Sequence, residues 1–263
     1  MEKINTFLEF IKKSDLNSAY AILHEKSESD DFNQISNVLK TVLTSHFLQQ
    51  RAGKMNALIN LKKSGFSPSL VIDVGAQIGT PELFHVFPDA HHIFIEPVME
   101  CIPHLQHIAS QLKSVDIHNC AISNINGKTE ISLTPSRQYA SIDHKIGDEV
   151  RTIDVKTIDS IVEELPLETT REILLKIDVD GPEIKVLQGS KSLLKSNCIL
   201  LIEASIADEF PRFNKLIDYL SAYDYDVYDI VDPMYRQSDW HLWQVDIILA
   251  KRTSYIWGEK KFS

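Results

Sequence analysis

The chain has little of what would take it outside ordinary globular proteins. There are only three cysteines, Cys101, Cys120 and Cys198, with no short paired spacing. An odd, dispersed set excludes a disulfide framework and a zinc ribbon, and buried inert thiols are the expectation. No apolar run approaches the roughly 18 residues that a membrane-spanning helix needs. Basic clusters are missing too; Lys62-Lys63 and Lys260-Lys261 are the nearest approach. With 27 Lys and Arg against 37 Asp and Glu, the net charge is −10. Such a chain repels a phosphate backbone unless its cations gather on one face, so nucleic acid is not an expected partner. The start, Met1-Glu2-Lys3, leads into no apolar core with a small-residue cleavage site, and a cytoplasmic location is expected.

What is present is 263 residues, 43 % of them apolar, enough for one large domain with an appendage. Up to residue 66 the apolar spacing is helical. Ile4, Phe7, Leu8 and Ile11 set it, then Leu16, Ala19, Tyr20 and Leu23, then Ile35, Val38, Leu39, Val42 and Leu43, then Met55, Leu58 and Ile59. Asp31 with Gln34 resembles a capping box. Residues 1–66 thus read as an N-terminal helical appendage. Its amphipathic stripes need a partner surface, either a second copy in a homodimer or the roof of the site.

After Ser67-Pro68 short apolar runs alternate with amphipathic segments. The runs are Leu70–Val74, His92–Ile95, Val115–Ala121, Ile173–Ile177, Ile199–Ile202, Asp226–Val231 and Val245–Ala250. This alternation predicts a parallel sheet in an α/β fold with right-handed crossovers. Thr129–Leu133 and Val150–Val155 read as an inserted β-hairpin. The domain spans residues 67–252, and 253–263 form a tail.

The segment from Val71 to Glu82 is the most informative. A strand ends in Asp73, Gly75 and Gly79 bracket a tight turn, Thr80 is a candidate N-cap and Pro81 opens a helix. Such a turn at the carboxyl end of a parallel sheet binds nucleotides. The spacing is Gly-x-x-x-Gly rather than Gly-x-Gly-x-x-Gly, and Glu82 disfavours a pyrophosphate at the helix start. Glu96 ends the second strand, 17 residues beyond Gly79, where a carboxylate accepts hydrogen bonds from both hydroxyls of an adenosine ribose.

A second acidic cluster follows the strand Ile173–Ile177, as Asp178-Val179-Asp180-Gly181-Pro182-Glu183. The next strand ends in Glu203. If the two strands are neighbours, Asp178 and Glu203 face one crevice. Carboxylates gathered there need a cation, a shared proton or water. Asp178 reads as a general base or a metal ligand, with Glu203 a second ligand and Mg²⁺ the suitable ion. Glu183 reads as favouring the positive end of its helix.

With these motifs the chain resembles the FkbM-type family of S-adenosylmethionine-dependent methyltransferases. The carriers are Val71-Ile72-Asp73-Val74-Gly75-Ala76-Gln77-Ile78-Gly79, Phe94-Ile95-Glu96-Pro97 and Asn119-Cys120-Ala121-Ile122-Ser123. The most specific are Leu175-Lys176-Ile177-Asp178-Val179-Asp180-Gly181-Pro182-Glu183-Ile184 and Val186-Leu187-Gln188-Gly189, with Gln244–Lys251 as the last strand. Gln77 stands where the family has Asn, Asp180 where it has Glu, and Pro182 where a small residue is commoner.

The resemblance implies a Rossmann-like seven-stranded sheet whose last strand is antiparallel. It implies methyl transfer from S-adenosylmethionine to a hydroxyl of a sugar or another natural-product scaffold. The implied cofactor set is Asp73, Gly75, Ala76, Gln77, Gly79, Glu96, Pro97, Cys120, Ala121, Ile122 and Asp178. Asp178 lies beside the reacting methyl group. His144 and His241 are competing bases, since an unperturbed histidine titrates near about 6.5. Tyr139, Ser141, Tyr235, Arg236, Trp240 and His241 are the candidate acceptor contacts, with Trp243 a further aromatic face. The rivals are a nicotinamide-dependent oxidoreductase on a similar sheet and a non-catalytic module that keeps the fold. A nucleic-acid methyltransferase is disfavoured by the charge and by the lack of an Asn-Pro-Pro-Tyr motif.

Overall fold

The computed structural model describes residues 53–134, 140–142, 147–165, 172–179, 181–207 and 210–258. The chain divides into two compact units, Met1–Gly53 and Lys54–Ser263. The helices expected before Gly53 lie outside the described residues. The last helix of the expected appendage, α1 (Lys54–Lys63), is counted with the second unit. No described helix is long and apolar enough to cross a membrane.

The second unit is built on a seven-stranded sheet. Its strands are β1 (Leu70–Val74), β2 (His91–Ile95), β3 (Val115–His118), β8 (Ile173–Ile177), β9 (Cys198–Ser205), β10 (Tyr225–Tyr235) and β11 (Leu242–Lys251), in the order β10-β11-β9-β8-β1-β2-β3. β1 pairs in parallel with both β2 and β8, and β8 with β9. β11 runs antiparallel to β9 and β10 between them, so the expected last antiparallel strand is present. Every residue of β1 and of β8 is buried. Such fully buried strands, apolar except for Asp73 and Lys176, are what a parallel sheet covered on both faces requires.

Helices supply the two covers. On one face α1 and α2 (Pro81–Val86) set Leu58, Leu61 and Leu83 against Val71, Leu174, Leu201 and Ile248. On the other, α4 (Ile158–Glu163), α5 (Glu183–Gln188), α6 (Lys191–Lys195) and α7 (Phe210–Ser221) set Ile161, Leu187, Leu194 and Leu220 against Ile72, Leu175, Leu200 and Ile247. α3 (Ile102–Ala109) adds Leu105 against Phe94. Thr157 caps α4 by accepting from the Ser160 N–H. Thr80 stands at the N-cap of α2 and Pro81 opens it, but the Thr80 side chain makes no capping bond.

Two stretches differ from expectation. The run Val115–Ala121 is not one strand. It breaks after His118, where the Asn119 amide donates to the carbonyls of Glu96 and Pro97. The chain then leaves the sheet, and β4 (Ala121–Ile122) joins a second one. The expected hairpin is likewise larger. β5 (Gly127–Leu133) and β7 (Glu149–Lys156) pair antiparallel, and β4 and β6 (Ala140–Ser141) extend them to the order β4-β7-β5-β6.

His92 on β2 is fully buried. Its Nε2 donates to the Phe87 carbonyl at 2.9 Å, while Nδ1 has no partner. Burial pushes its pKa below the ordinary histidine value, and burial does the same to His118. The unfolded chain therefore takes up protons that the folded one resists. Stability should be complete above pH 6.5 and fall as pH drops through the lowered folded values. Urea unfolding followed from about pH 8 to about pH 5 tests this. His92→Gln should reduce the slope; an unchanged slope would assign the loss to other groups.

Candidate active site

The chain proceeds from β1 outward to β2 and β3, then returns to build β8 and β9 on the other side of β1. The order reverses at β1, and an open crevice forms there, beyond the carboxyl ends of the strands. A cleft of about 570 Å³ lies at this place. β1 and its turn contribute Val74, Gly75 and Gln77 to its wall, and the end of β2 and the residues after it contribute Ile95 through Val98. Cys120, Ala121 and Ile122 come from the β3 break, and Ile131, Ala140 and Ile142 from the second sheet. Asp178, Val179 and Pro182 follow β8, Glu203 lies on β9, and Met234, Trp243 and Gln244 lie on β10 and β11.

The turn after β1 is closed by backbone geometry. The Gly75 and Ala76 N–H groups both donate to the Ile95 carbonyl, at 3.0 and 3.1 Å. Gly75 has φ +74°, and a Cβ there would lie 1.9 Å from the Asp178 carbonyl oxygen. Only glycine allows β1 and β8 to approach this closely. Gln77 also takes a left-handed backbone, with φ +46°. Its N–H donates to Glu96 Oε2 at 2.8 Å, and the Val98 N–H donates to Oε1 at 2.8 Å. Glu96 is buried, and burial raises its pKa although the two N–H groups pull the other way. A carboxylate oxygen has two lone pairs, so each oxygen of Glu96 keeps one acceptor position beyond its backbone bond.

Beneath the turn lies a residue that the sequence reading quoted in a motif but gave no role. Lys176 is buried on β8, with Nζ 3.0 Å from Asp73 Oδ1 and 2.9 Å from Asp178 Oδ2. Burial opposes its charge, but the two carboxylates outweigh that and hold its pKa above the ordinary lysine value. Asp73 is fully buried and its Oδ2 has no hydrogen-bond partner, so Lys176 is its counter-charge. Asp178 differs. Its N–H is fixed to the Val74 carbonyl at 3.0 Å, yet its side chain is 36 % exposed and lines the cleft. A lysine inside the run Ile173–Ile177, between two aspartates of neighbouring strands, was the available signal.

Of the expected cofactor residues, Gly75, Gln77, Glu96, Pro97, Cys120, Ala121, Ile122 and Asp178 line one cleft. Asp73, Ala76 and Gly79 lie behind it. Ala76 packs with Phe94 and Leu105, and Gly79 faces Ile108 and Phe84. The three cysteines are free and buried, as expected, and burial pushes the Cys120 thiol up to about 11. Glu183 does more than favour a helix end; Arg212 of α7 grips it, with Nη2 2.6 Å from Oε1.

The expected Mg²⁺ site does not fit. Asp178 is bound to an ammonium group, and Glu203 Oε1 accepts from Gln244 Nε2 at 2.8 Å. Among the described residues no group of three His, Cys, Asp or Glu side chains is arranged to hold a metal. The acceptor candidate Tyr139, the candidate base His144 and Asp180 of the acidic cluster lie outside the described residues. Ser141 is buried in β6, while its neighbours Ala140 and Ile142 reach the cleft. Tyr235, Trp240 and His241 are exposed at the β10–β11 turn, and Arg236 is held by Asp239. The residues of this hairpin that line the cleft are Met234, Trp243 and Gln244.

Removing the Lys176 charge leaves Asp73 buried without compensation. Lys176→Met should cost about 3–5 kcal/mol of stability. Adding Asp73→Asn should recover most of that loss in urea unfolding. A double variant as unstable as Lys176→Met would show that the pair is not the source.

No curated protein matches the sequence. A precorrin-6y C5,15-methyltransferase from Geobacter metallireducens GS-15 is similar in structure, with 13 % identity, 75 % of this chain and 87 % of that one covered, and a TM-score of 0.42. An N-methyltransferase, NodS, from Bradyrhizobium japonicum WM9 has 9 % identity, 76 % and 89 % coverage and a TM-score of 0.42. A 1,6-didemethyltoxoflavin-N1-methyltransferase from Burkholderia thailandensis has 12 % identity, 86 % and 92 % coverage and a TM-score of 0.43. The model of the methyltransferase FkbM domain matches residues 73–227, more than half of the chain, and the chain belongs to that family.

Proposed function

We propose that the protein transfers a methyl group from S-adenosylmethionine to a hydroxyl of a sugar or of a glycosylated natural product. The observation that carries this reading is the opening of Asp178 and Glu96 into the same cleft. Glu96 is held there by two backbone N–H groups and Asp178 by an ammonium group.

The residues fit the cofactor. Gly75 makes a cradle that a Cβ would fill. Glu96 keeps one acceptor position on each oxygen, which suits the two hydroxyls of a ribose. Ala121 and Ile122 offer an apolar wall suited to a purine. When bound, S-adenosylmethionine supplies a methyl group already activated by a positive sulfur. The chain must then align the acceptor and take its proton. Asp178 takes the hydroxyl proton, and Lys176 fixes the direction of its carboxylate. Glu203 and Gln244, bonded to each other, give the acceptor further polar contacts from β9 and β11. No step needs a metal, because Lys176 holds the counter-charge position beside Asp178.

Calorimetry with S-adenosylhomocysteine, and labelled S-adenosylmethionine with a panel of hydroxylated sugars and glycosides, test the reading. Asp178→Asn should lower turnover by roughly 10²–10⁴-fold and leave cofactor affinity nearly unchanged. Glu96→Ala should weaken cofactor binding by about tenfold or more, since bonds to a charged acceptor are lost. Full turnover in Asp178→Asn would remove that residue from the reaction. Binding of a nicotinamide dinucleotide without S-adenosylhomocysteine would favour the oxidoreductase reading.

A further inference from the structure

The strand order fixes how the cleft is laid out. Reading along the sheet, Glu96 follows β2, Gly75 and Gln77 follow β1, and Asp178 follows β8. Beyond Asp178 come Glu203 on β9, Trp243 and Gln244 on β11, and Met234 on β10. The cofactor set ends at β8, so the part from β8 to β10 is left for the acceptor. Three strand spacings at about 4.8 Å make it roughly 14 Å wide, more than a single sugar ring fills.

The chemistry changes along this distance. Near β8 and β9 the lining is acidic, with Asp178 and Glu203. At the far end it is apolar, with Met234 and Trp243. Both are large and open to solvent, 45 % and 43 % exposed. Exposed apolar side chains bordering a cleft mark what it receives. No Lys or Arg stands among the described residues of the lining, and the carboxylates of Asp178 and Glu203 disfavour an anion beside them.

The geometry points to an amphipathic, uncharged acceptor. A hydroxylated ring meets Asp178 and the Glu203–Gln244 pair, and an apolar extension of about 10 Å lies along Trp243 and Met234. This rests on the methyl-transfer reading above and narrows its substrate class from sugars and glycosides in general to an uncharged glycoside bearing an apolar aglycone or chain.

The test uses the full chain saturated with S-adenosylhomocysteine. Octyl β-glucoside below its micelle concentration, methyl β-glucoside and octyl phosphate are titrated by calorimetry. Octyl β-glucoside should bind about tenfold or more tighter than methyl β-glucoside, and octyl phosphate more weakly than octyl β-glucoside. Trp243→Ala should abolish the octyl advantage at unchanged S-adenosylhomocysteine affinity. Met234→Asp, at a half-exposed position that tolerates charge, should do the same if Trp243→Ala does not fold. Trp240→Ala is the control for unspecific adsorption: Trp240 is 79 % exposed and outside the lining, and its loss should change nothing. Equal affinity for the two glucosides, an advantage that survives both cleft substitutions or is lost in the control, or a preference for octyl phosphate would overturn the inference. Failure to bind S-adenosylhomocysteine would instead overturn the methyl-transfer reading.

Discussion

The structure turns on one buried cation. Lys176 sits between Asp73 of β1 and Asp178 after β8, with little contact with solvent. A buried ion group contributes little net stability, because desolvation offsets most of the attraction. What it fixes is position. The two strands that meet at the reversal of the sheet end in carboxylates, and without a cation between them these would repel. With it, the strand ends approach so closely that the Asp178 carbonyl occupies the space a side chain at Gly75 would need. The ammonium group, the glycine and the shape of the crevice are thus parts of one arrangement.

The cleft holds its two central acids in different ways. Glu96 is held by two backbone N–H groups, which orient it without cancelling its charge. Asp178 is held by an ammonium group on one oxygen and stays partly open to the cleft. The first arrangement suits a group that accepts hydrogen bonds from a ligand and stays unchanged. The second suits a carboxylate whose direction has to be kept while it exchanges a proton. Burial raises the pKa of Glu96, so its backbone bonds oppose a real cost, and one of them comes from Gln77, which adopts a left-handed backbone in the turn.

The parts of this fold that can be read from the sequence are those set by local pattern. β1 and β8 coincide with apolar runs because a strand buried on both faces leaves no other signature. The glycine turn is legible because positive φ demands particular residues. The break after His118 is not, since Asn119 ends the strand only through carbonyls of another strand. The segment from Tyr235 to His241 supplies candidate acceptor contacts in the sequence, but the pairing of β10 and β11 shifts register between Val231 and Met234 and again between Met234 and Tyr235. Which side chains of these two strands reach the cleft cannot be read from the sequence alternation alone. Met234, Trp243 and Gln244 line it, and Tyr235, Trp240 and His241 do not. Lys176 was visible as a lone charge inside an apolar strand, but its role depends on Asp73 lying beside it across the sheet.

The same electrostatic logic bears on where the folded unit begins. Asp246 on β11 stands beside Glu203 on β9, and burial raises its pKa. Its counter-charge is Lys54, whose Nζ lies 2.5 Å from Asp246 Oδ2 and whose N–H donates to Asp232 on β10. Burial opposes the Lys54 charge, yet the Asp246 carboxylate outweighs it and raises the lysine pKa. One face of the sheet thus carries two lysines among carboxylates, the buried Lys176 from within the family match and the partly buried Lys54 from before it. A unit cut at residue 67, where the strand pattern starts, would leave Asp246 and Asp232 without that cation and Leu58 and Leu61 without their place in the core. Charge balance and apolar burial therefore both put helix α1 inside the catalytic unit.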